Sequence, residues 1–278
     1  MTPTDLALLT ELVARLRAPD GCPWDREQTL RDLRAYLLEE AHETADAIDR
    51  VGGDRVAGDR VAGDRVVGDR GALEDLGGEL GDLLFQAAFI GALSEEGGGP
   101  GVGEAIARVH RKMVARHPHV FGEAVAKDAE AVRQAWERRK LAEKREGSLL
   151  DGVAASLPAL TAAYRMTQKA AGVGFDWPDA GAVLAKLEEE LGELRHSLAE
   201  GDRTAQSEEL GDLLFTIANL ARKLDLDPEA ALAQTNLKFR RRFAAVEAGL
   251  TAKGRQLGEA SLAEMDALWE EAKRGERG

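Results

Sequence analysis

Acidic residues recur three positions apart at two places in the second half of the chain. Glu190 and Glu193 lie within LEEELGE, and Glu209 and Asp212 lie within ELGDLLF. If both segments are helical, each pair shares one helix face, because positions i and i+3 are neighbours there. Four carboxylates at one rim repel each other unless cations neutralise them. Oxygen ligands without His or Cys suit Mg²⁺ or Mn²⁺, so the spacing predicts a site for one of these two metal ions.

The same acidic pattern occurs earlier in the chain. ELGDLLF stands at 79–85 as well as at 209–215, and LLEEAHE precedes the first copy as LEEELGE precedes the second. A second set of metal ligands is therefore predicted, namely Glu40, Glu43, Glu79 and Asp82. The first copy is longer between its two motifs by four pentads of the type GDRVx at 51–70. One Val per pentad is too little for a stacked solenoid, which favours a flexible loop between two helices.

Helical periodicity dominates the elements that must position these acids. After the second ELGDLLF begins, apolar residues recur at helical spacing at Leu210, Leu213, Leu214, Ile217, Leu220, Ala221 and Leu224. This stripe predicts a buried helix of a bundle. Alternating strand patterns are hard to find, so the fold is predicted to be all-α. Pro and Gly predict helix breaks at 19–23, 97–103, 117–118, 172–178 and 227–228.

Length and composition limit the partners. A chain of 278 residues is long enough for about two domains. A net charge of −13 argues against binding a nucleic-acid polymer, because such surfaces gather Lys and Arg. The single cysteine, Cys22, cannot form an internal disulfide, which fits the cytoplasm. The longest apolar stretch, 83–93, is shorter than the ~20 residues of a membrane span, so no membrane is predicted.

Two other classes of protein remain open at this point. Glu39 and His42 form the E-x-x-H step of di-iron carboxylate bundles, so a ferritin-like protein is one alternative. The corresponding position of the second copy is Gly192, and a second E-x-x-H is missing from the first copy. A non-catalytic helical regulatory module is the other alternative, because a single acidic motif on a charged helix is usually a solvated face.

Several motifs together resemble the MazG family of nucleoside triphosphate pyrophosphohydrolases. They are the paired E-E-x-x-E and E-x-x-D, the ELGDLLF context, CPWD at 22–25, RHPHVFG at 116–122, GFDW at 174–177, KFRRRF at 238–243 and the final Trp. The resemblance implies two tandem domains of the all-α NTP pyrophosphatase type and a homodimer. A charged segment gives way to Gly, Ser and then Pro158 at 146–157, and this change of composition sets the predicted domains at 1–147 and 148–278. It also implies Mg²⁺-dependent hydrolysis of NTPs to NMP and pyrophosphate.

The resemblance also assigns roles to single residues. The metal ligands of the family fall on the E-x-x-E and E-x-x-D acids, and its nucleotide contacts fall on Lys186, Lys238, Arg242 and Trp269. One contact departs from the family pattern, because a Lys found in one relative, seven residues before the E-x-x-D Asp, falls on Ala205.

The residues themselves are compatible with this chemistry. Lys186 and two further cations would hold the β and γ phosphates, and a face of Trp269 would stack on any base. Glu189 or Glu190 is the expected acceptor of the proton of the attacking water. Tyr36 replaces Lys186 in the first copy, so the C-terminal domain is predicted to be the main catalytic one.

Overall fold

A computed structural model of the chain describes residues 3–52, 70–125, 127–128, 132, 135–136 and 147–276. The described helices are α1 Pro3–Leu16, α2 Pro23–Glu27, α3 Leu30–Gly52, α4 Arg70–Glu96, α5 Val102–Arg116, α6 Pro118–Phe121, α7 Ala159–Ala171, α8 Ala180–Glu200, α9 Arg203–Lys223, α10 Pro228–Ala252 and α11 Leu262–Gly275. Two short 3₁₀ turns, Leu149–Gly152 and Leu257–Glu259, complete them. The described residues form no strand, and the all-α prediction is confirmed.

Aspartate residues cap the N-termini of α8 and α9, which carry the second acidic copy, and of the following helix α10. The Asp179 carboxylate accepts from the amide of Ala182, and Asp202 and Asp227 each accept from two amides of the following turn. Each cap satisfies backbone donors that have no partner within the helix. Pro228 follows Asp227 at the first helical position, where its missing N–H costs nothing. The helices therefore begin where local sequence signals place them.

A two-residue link makes α8 and α9 an antiparallel hairpin. Gly201 ends α8 in the left-handed conformation, with φ of 73°, which glycine adopts without a Cβ penalty. Gln206 Nε2 then donates to the carbonyl of Ser197 at 3.2 Å, and Glu209 lies near Glu193 further along. In an antiparallel pair, residue numbers fall along α8 while they rise along α9. The acidic segments of the two helices therefore face each other across the hairpin.

The chain divides into two compact units. Unit 1 takes in the described residues up to 136, and unit 2 takes in those from 147 onward. The predicted domain boundary between 147 and 148 directly follows residues 137–146, which lie outside the described part, and it stays a prediction. The pentad insertion at 51–70 joins α3 to α4, but the expected loop falls on residues 53–69, which also lie outside the described part.

Each unit has its own apolar core. In unit 1, Val13, Leu33, Ala88 and Phe89 form a buried cluster where α1, α3 and α4 meet. In unit 2, Val246, Leu250 and Leu268 join α10 to α11. α8 and α9 pack along each other as α3 and α4 do, and α7 packs on α9. The acidic helices are thus held by helix pairs of the same kind in both units.

One expectation about the core is wrong. The leucine stripe of α9 was expected to be buried, but Leu210, Leu214, Ile217 and Leu224 are 42–52% exposed in the single chain. The buried residues of α9 are Thr216, Ala218 and Asn219. Periodicity identifies a shared face correctly, yet it does not say which face of a helix the rest of the chain covers.

Helix α4 is, within the described part of the chain, the one helix whose length and composition would allow it to cross a membrane. A core helix of a soluble protein meets the same criterion. Ala88 and Phe89 of α4 are buried in the core of unit 1 against α1 and α3. The prediction that the chain has no membrane span stays a prediction.

Candidate metal centre

Three carboxylates of unit 2 converge between α8 and α9. Glu190, Glu193 and Glu209 each offer one oxygen, and these oxygens lie within 4.8 Å of one another. Glu190 and Glu193 share a face of α8 because they are three residues apart, and the hairpin brings Glu209 opposite them. The fourth predicted ligand, Asp212, is exposed one turn further along α9 and is not part of this group.

Mutual repulsion is visible in the electrostatics of this group. Partial desolvation raises the pKa of Glu193, and a hydrogen bond shared with Glu190 and the charges of Glu209 and Glu190 raise it further. Lys186 offsets part of the negative charge. Its Nζ lies 2.7 Å from Glu189 and 2.8 Å from Glu190, and the hydrogen bonds to these two carboxylates raise the pKa of Lys186. The Glu190 side chain, only 7% exposed, therefore has one positive neighbour.

Unit 1 has a related cluster of three carboxylates, with partly different members and without that cation. Glu40, Glu79 and Asp82 offer oxygens within 4.8 Å of one another, and Glu43 is exposed outside the group. Burial raises the pKa of Glu40 first, and the charges of Asp82 and Glu43 add to this. Tyr36 stands where Lys186 stands in unit 2.

Neither described cluster includes a histidine. The E-x-x-H residue His42 is exposed on α3 and is in neither group. Both groups offer oxygen alone, which is the donor set of Mg²⁺ and Mn²⁺. The clusters therefore fit a hard divalent cation, and the donor set lacks the imidazole of the di-iron carboxylate sites.

The remaining predicted nucleotide contacts lie on α10 and α11. Arg242 lies 5.8 Å from the centre of the Trp269 ring, and Phe239 contacts the same ring at 5.2 Å between centroids. Arg242 also pairs with Glu276 at 2.7 Å. Lys238 is exposed and has no ion pair with the residues that the structure describes. The structure thus groups Arg242 with Trp269, whereas Lys186 belongs to the acidic group.

A groove of about 520 Å³ opens beside the acids of unit 2. It is lined by Glu189, Gly192, Glu193, Ala205 and Glu209 among others. Ala205, the position that departs from the family pattern, thus borders the groove with a methyl group instead of an ammonium. Two members of the acidic group, Glu193 and Glu209, thus border the groove directly.

Sequence reasoning missed a polar group at the far end of α9. Arg222 donates to Asn219 Oδ1 from Nε at 3.0 Å and from Nη2 at 2.7 Å, and it also pairs with Asp176. Lys223 Nζ pairs with the same carboxylate at 2.7 Å. Burial opposes ionisation of Asp176, but the hydrogen bonds from Arg222 and Lys223 outweigh it and lower the pKa of the carboxyl. GFDW, which contains Asp176, was the one signal that pointed to this place.

Comparison with known proteins agrees with this architecture. The family model of the MazG nucleotide pyrophosphohydrolase domain matches residues 28–121 and 180–246, so each match contains one acidic cluster. The nucleoside triphosphate pyrophosphohydrolase of Escherichia coli K12 is 38% identical over 274 residues, covering 96% of this chain and 97% of its own.

Two further relatives extend the comparison. Thermotoga maritima has a nucleoside triphosphate pyrophosphohydrolase/pyrophosphatase MazG that is 36% identical over 270 residues, covering 96% of this chain and 95% of its own. An uncharacterised Bacillus subtilis protein, YabN, is 38% identical over 276 residues, covering 98% of this chain but 52% of its own. With two family segments and similarity along nearly its whole length, the chain belongs to the MazG nucleotide pyrophosphohydrolase family.

Proposed function

We propose that this protein hydrolyses nucleoside triphosphates to nucleoside monophosphates and pyrophosphate in the cytoplasm. The observation that carries the proposal is the group Glu190, Glu193 and Glu209 beside an open groove, with Lys186 at its edge. A cluster of repelling carboxylates next to a groove is suited to a cation and an anionic ligand together. The names of the relatives from Escherichia coli and Thermotoga maritima support a triphosphate as that ligand.

The cation proposed for this site is Mg²⁺, with Mn²⁺ as a substitute. Glu190, Glu193 and Glu209 would hold it, with Asp212 as a fourth ligand if its side chain turns toward the group. When bound, the cation supplies positive charge that offsets the triphosphate and favours ionisation of the water nucleophile. It also offsets the charge repulsion that adds to desolvation in raising the pKa of Glu193.

Fixed cations are proposed to hold the phosphates. Lys186 already contacts Glu189 and Glu190, so it can turn from these acids to the phosphates once a divalent cation neutralises them. Lys238 is exposed and without an ion pair among the described residues, and Arg242 lies against Trp269. Positive groups aimed at the developing charge would stabilise the transition state more than the substrate.

In the proposed reaction, a water oxygen attacks the α phosphorus. The bond between this phosphorus and the α,β-bridging oxygen breaks, and pyrophosphate leaves as one unit. Glu189 or Glu190 accepts the proton of the water, because both carboxylates lie at the acidic group and Glu189 lines the groove. The nucleoside monophosphate keeps the new oxygen.

The C-terminal domain is proposed to carry most of the turnover. Its carboxylates are paired with Lys186, whereas Tyr36 leaves the cluster of unit 1 without that cation. A triphosphate binds less well where a fixed positive charge is missing. The equivalent acids of unit 1, Glu40 and Glu79, are proposed to hold a cation with weak or no hydrolysis.

A homodimer is proposed from the exposed stripe of α9. Leu210, Leu214 and Ile217 are 42–52% exposed on one helix face. Contiguous apolar surface of this kind commonly marks a protein–protein interface. A second copy of the chain is the partner that the family resemblance implies.

The deciding experiment incubates the full chain with Mg²⁺ and a panel of NTPs and dNTPs, and separates pyrophosphate from orthophosphate among the products. We expect pyrophosphate as the product. Glu193→Gln should abolish its release, whereas Glu43→Gln, the matched change in unit 1, should leave most of it. Intact nucleotide after long incubation, or tightly bound iron without pyrophosphate release, would contradict the proposal.

The same pair of variants tests which domain works. If Glu43→Gln abolishes turnover and Glu193→Gln spares it, the assignment to the C-terminal domain is reversed. Circular dichroism should show both variants folded, since both replaced side chains are solvent-exposed.

A further inference from the structure

A second cavity of unit 2 lies at the other end of α9 from the acids. Its volume is about 250 Å³, below the roughly 300–1,000 Å³ of pockets for drug-sized ligands. Its walls include the aromatic side chains of Phe175, Trp177 and Phe215, and α7 closes it with Thr167 and Ala170. The space therefore suits a flat ring or a similar fragment rather than a whole nucleotide.

Asn219 lines this cavity, and its buried amide carries an unused donor. Asn219 is 1% exposed, and its Oδ1 accepts two hydrogen bonds from Arg222, which Asp176 holds in place. These bonds fix the orientation of the amide, because a guanidinium can only donate. The Nδ2 atom is consequently the free donor, and it has no hydrogen-bond partner within the described part of the chain.

The polar side chain that α7 contributes to the cavity wall, Thr167, is already satisfied. The Thr167 hydroxyl donates to the carbonyls of its own helix, with distances of 3.1 Å to Ala163 and 3.0 Å to Tyr164. Buried donors without a partner are rare in native proteins because they are costly. The Nδ2 of Asn219 thus calls for an acceptor that enters the cavity from outside.

The position of Asn219 relates the cavity to the acidic group. Glu209, the member of the acidic group on α9, precedes Asn219 by ten residues, which is about 15 Å along the helix axis. Phe215 lies between them and lines the cavity. A ligand with its phosphates at the acids can therefore extend along α9 toward the aromatic walls.

We propose that this cavity binds the base of the nucleoside triphosphate. Asn219 Nδ2 donates to a carbonyl oxygen or a ring nitrogen of the base, and the aromatic side chains cover its faces. The proposal rests on the proposed function and adds the place of base recognition to it. Every common base carries such an acceptor, so one donor admits purines and pyrimidines alike.

This placement differs from stacking on Trp269. The Trp269 ring already contacts Phe239 and Arg242 and packs against the core of unit 2. The cavity also distinguishes the two acidic copies, because Phe89 occupies the position of Asn219 in the first ELGDLLF helix and is buried in the core of unit 1. Base recognition of this kind is thereby confined to unit 2.

The test compares KM and kcat for ATP, GTP, CTP and UTP with the inhibition constant of inorganic tripolyphosphate, which has no base. Asn219→Asp keeps the acceptor that Arg222 needs but replaces the free donor with an acceptor. We expect KM to rise about tenfold or more for the four nucleotides, as the loss of one buried hydrogen bond predicts. The inhibition constant of tripolyphosphate should stay within about twofold.

A second variant tests the cavity without touching Asn219. Ala170→Leu adds bulk to the wall on α7, and it should also raise KM for the nucleotides while sparing tripolyphosphate. Ala267→Leu, the same change at an exposed position of α11, is the matched control and should leave both constants unchanged. Circular dichroism confirms which variants are folded.

The outcomes distinguish a failure of the proposed hydrolytic function from a failure of the proposed base-binding cavity. A wild-type chain that releases no pyrophosphate contradicts the proposed function itself. An active wild type with an unchanged KM in folded Ala170→Leu and Asn219→Asp overturns the base cavity alone. A rise in nucleotide KM in Trp269→Leu without one in Ala170→Leu assigns the base to Trp269 and overturns the proposal as well.

Discussion

Replacing Asp176 with Asn should destabilise unit 2 by removing the counter-charge of two largely buried cations. Arg222 Nη2 donates to one oxygen of Asp176 at 2.5 Å and Lys223 Nζ to the other at 2.7 Å, and the two cationic side chains are 12% and 13% exposed. Removing one partner of a buried ion pair costs about 3–5 kcal/mol. Asp176 itself is 23% exposed, so solvent screens part of the interaction, and we expect a loss of about 3 kcal/mol at pH 7.

The loss should depend on pH in a defined direction. The pKa of Asp176 is lowered in the folded protein, because the hydrogen bonds from Arg222 and Lys223 outweigh the opposing effect of burial. An acid of this kind stabilises the fold fully above its unfolded pKa of about 3.9, and the contribution disappears as the pH falls through the folded pKa. Wild type therefore loses this contribution in acid, whereas Asp176→Asn has none to lose. The gap in unfolding free energy between the two proteins should narrow as the pH falls below about 4.

Urea unfolding of the full chain followed by tryptophan fluorescence measures this difference, since Trp177 and Trp269 belong to unit 2. With a slope of about 1–3 kcal/mol per molar urea, a loss of 3 kcal/mol lowers the midpoint by about 1–3 M. Asp266→Asn is the matched control at an exposed carboxylate of α11 and should change stability by less than about 0.5 kcal/mol. A variant as stable as this control at pH 7, or a gap that widens in acid, would refute the reasoning.

Three further predictions concern the cation, the pentads and the dimer. Mg²⁺ should raise the thermal midpoint of the wild-type chain, because it binds only the folded acidic group, and the rise should shrink in Glu193→Gln; an equal rise in both would argue against this site. Deleting 52–71 and rejoining the helices with a short loop should leave activity and thermal midpoint nearly unchanged, because loop closure depends weakly on length; loss of dimerisation would contradict this. Leu214→Glu should shift the chain toward monomer in analytical ultracentrifugation, whereas Leu262→Glu, also exposed but outside the stripe, should not.

Helix boundaries could be read from the sequence because the signals that set them are local. Asp227 and Pro228 predict a helix start, and α10 begins there with the aspartate as cap. The glycines at 97–103 predict a break, and α4 ends at Glu96 while α5 begins at Val102. A cap or a breaker acts within one turn, so the sequence neighbours contain all the information that is needed.

The sequence predicts only some of the residues that form the acidic clusters. Spacing of three residues correctly places Glu190 and Glu193 on one face, because helix geometry fixes that relation. Which residue of the next helix comes nearest depends on how α8 and α9 cross, and no local pattern encodes this. The structure consequently includes Glu209 in the group and leaves Asp212 outside it.

The unpaired Nδ2 donor of Asn219 could not be predicted from the sequence. The hydrogen bonding of this amide depends on Arg222 and, through Arg222, on Asp176, which is 46 residues from Arg222 in the chain. The exposure of the α9 leucines could not be predicted from the sequence for a related reason. Periodicity marks an apolar face, but only the packed chain, or a partner, decides what covers it.

Phe89 in unit 1 and Asn219 in unit 2 occupy equivalent helix positions, but the first serves stability and the second is available for binding. Phe89 fills its place in unit 1 with a ring that is 3% exposed, and full burial of such a side chain stabilises by about 1.5–3 kcal/mol. Asn219 instead keeps a donor unpaired, at a cost of about 1–3 kcal/mol. This one position therefore stabilises unit 2 less than it stabilises unit 1, and the difference is the cost of keeping a donor available for a ligand.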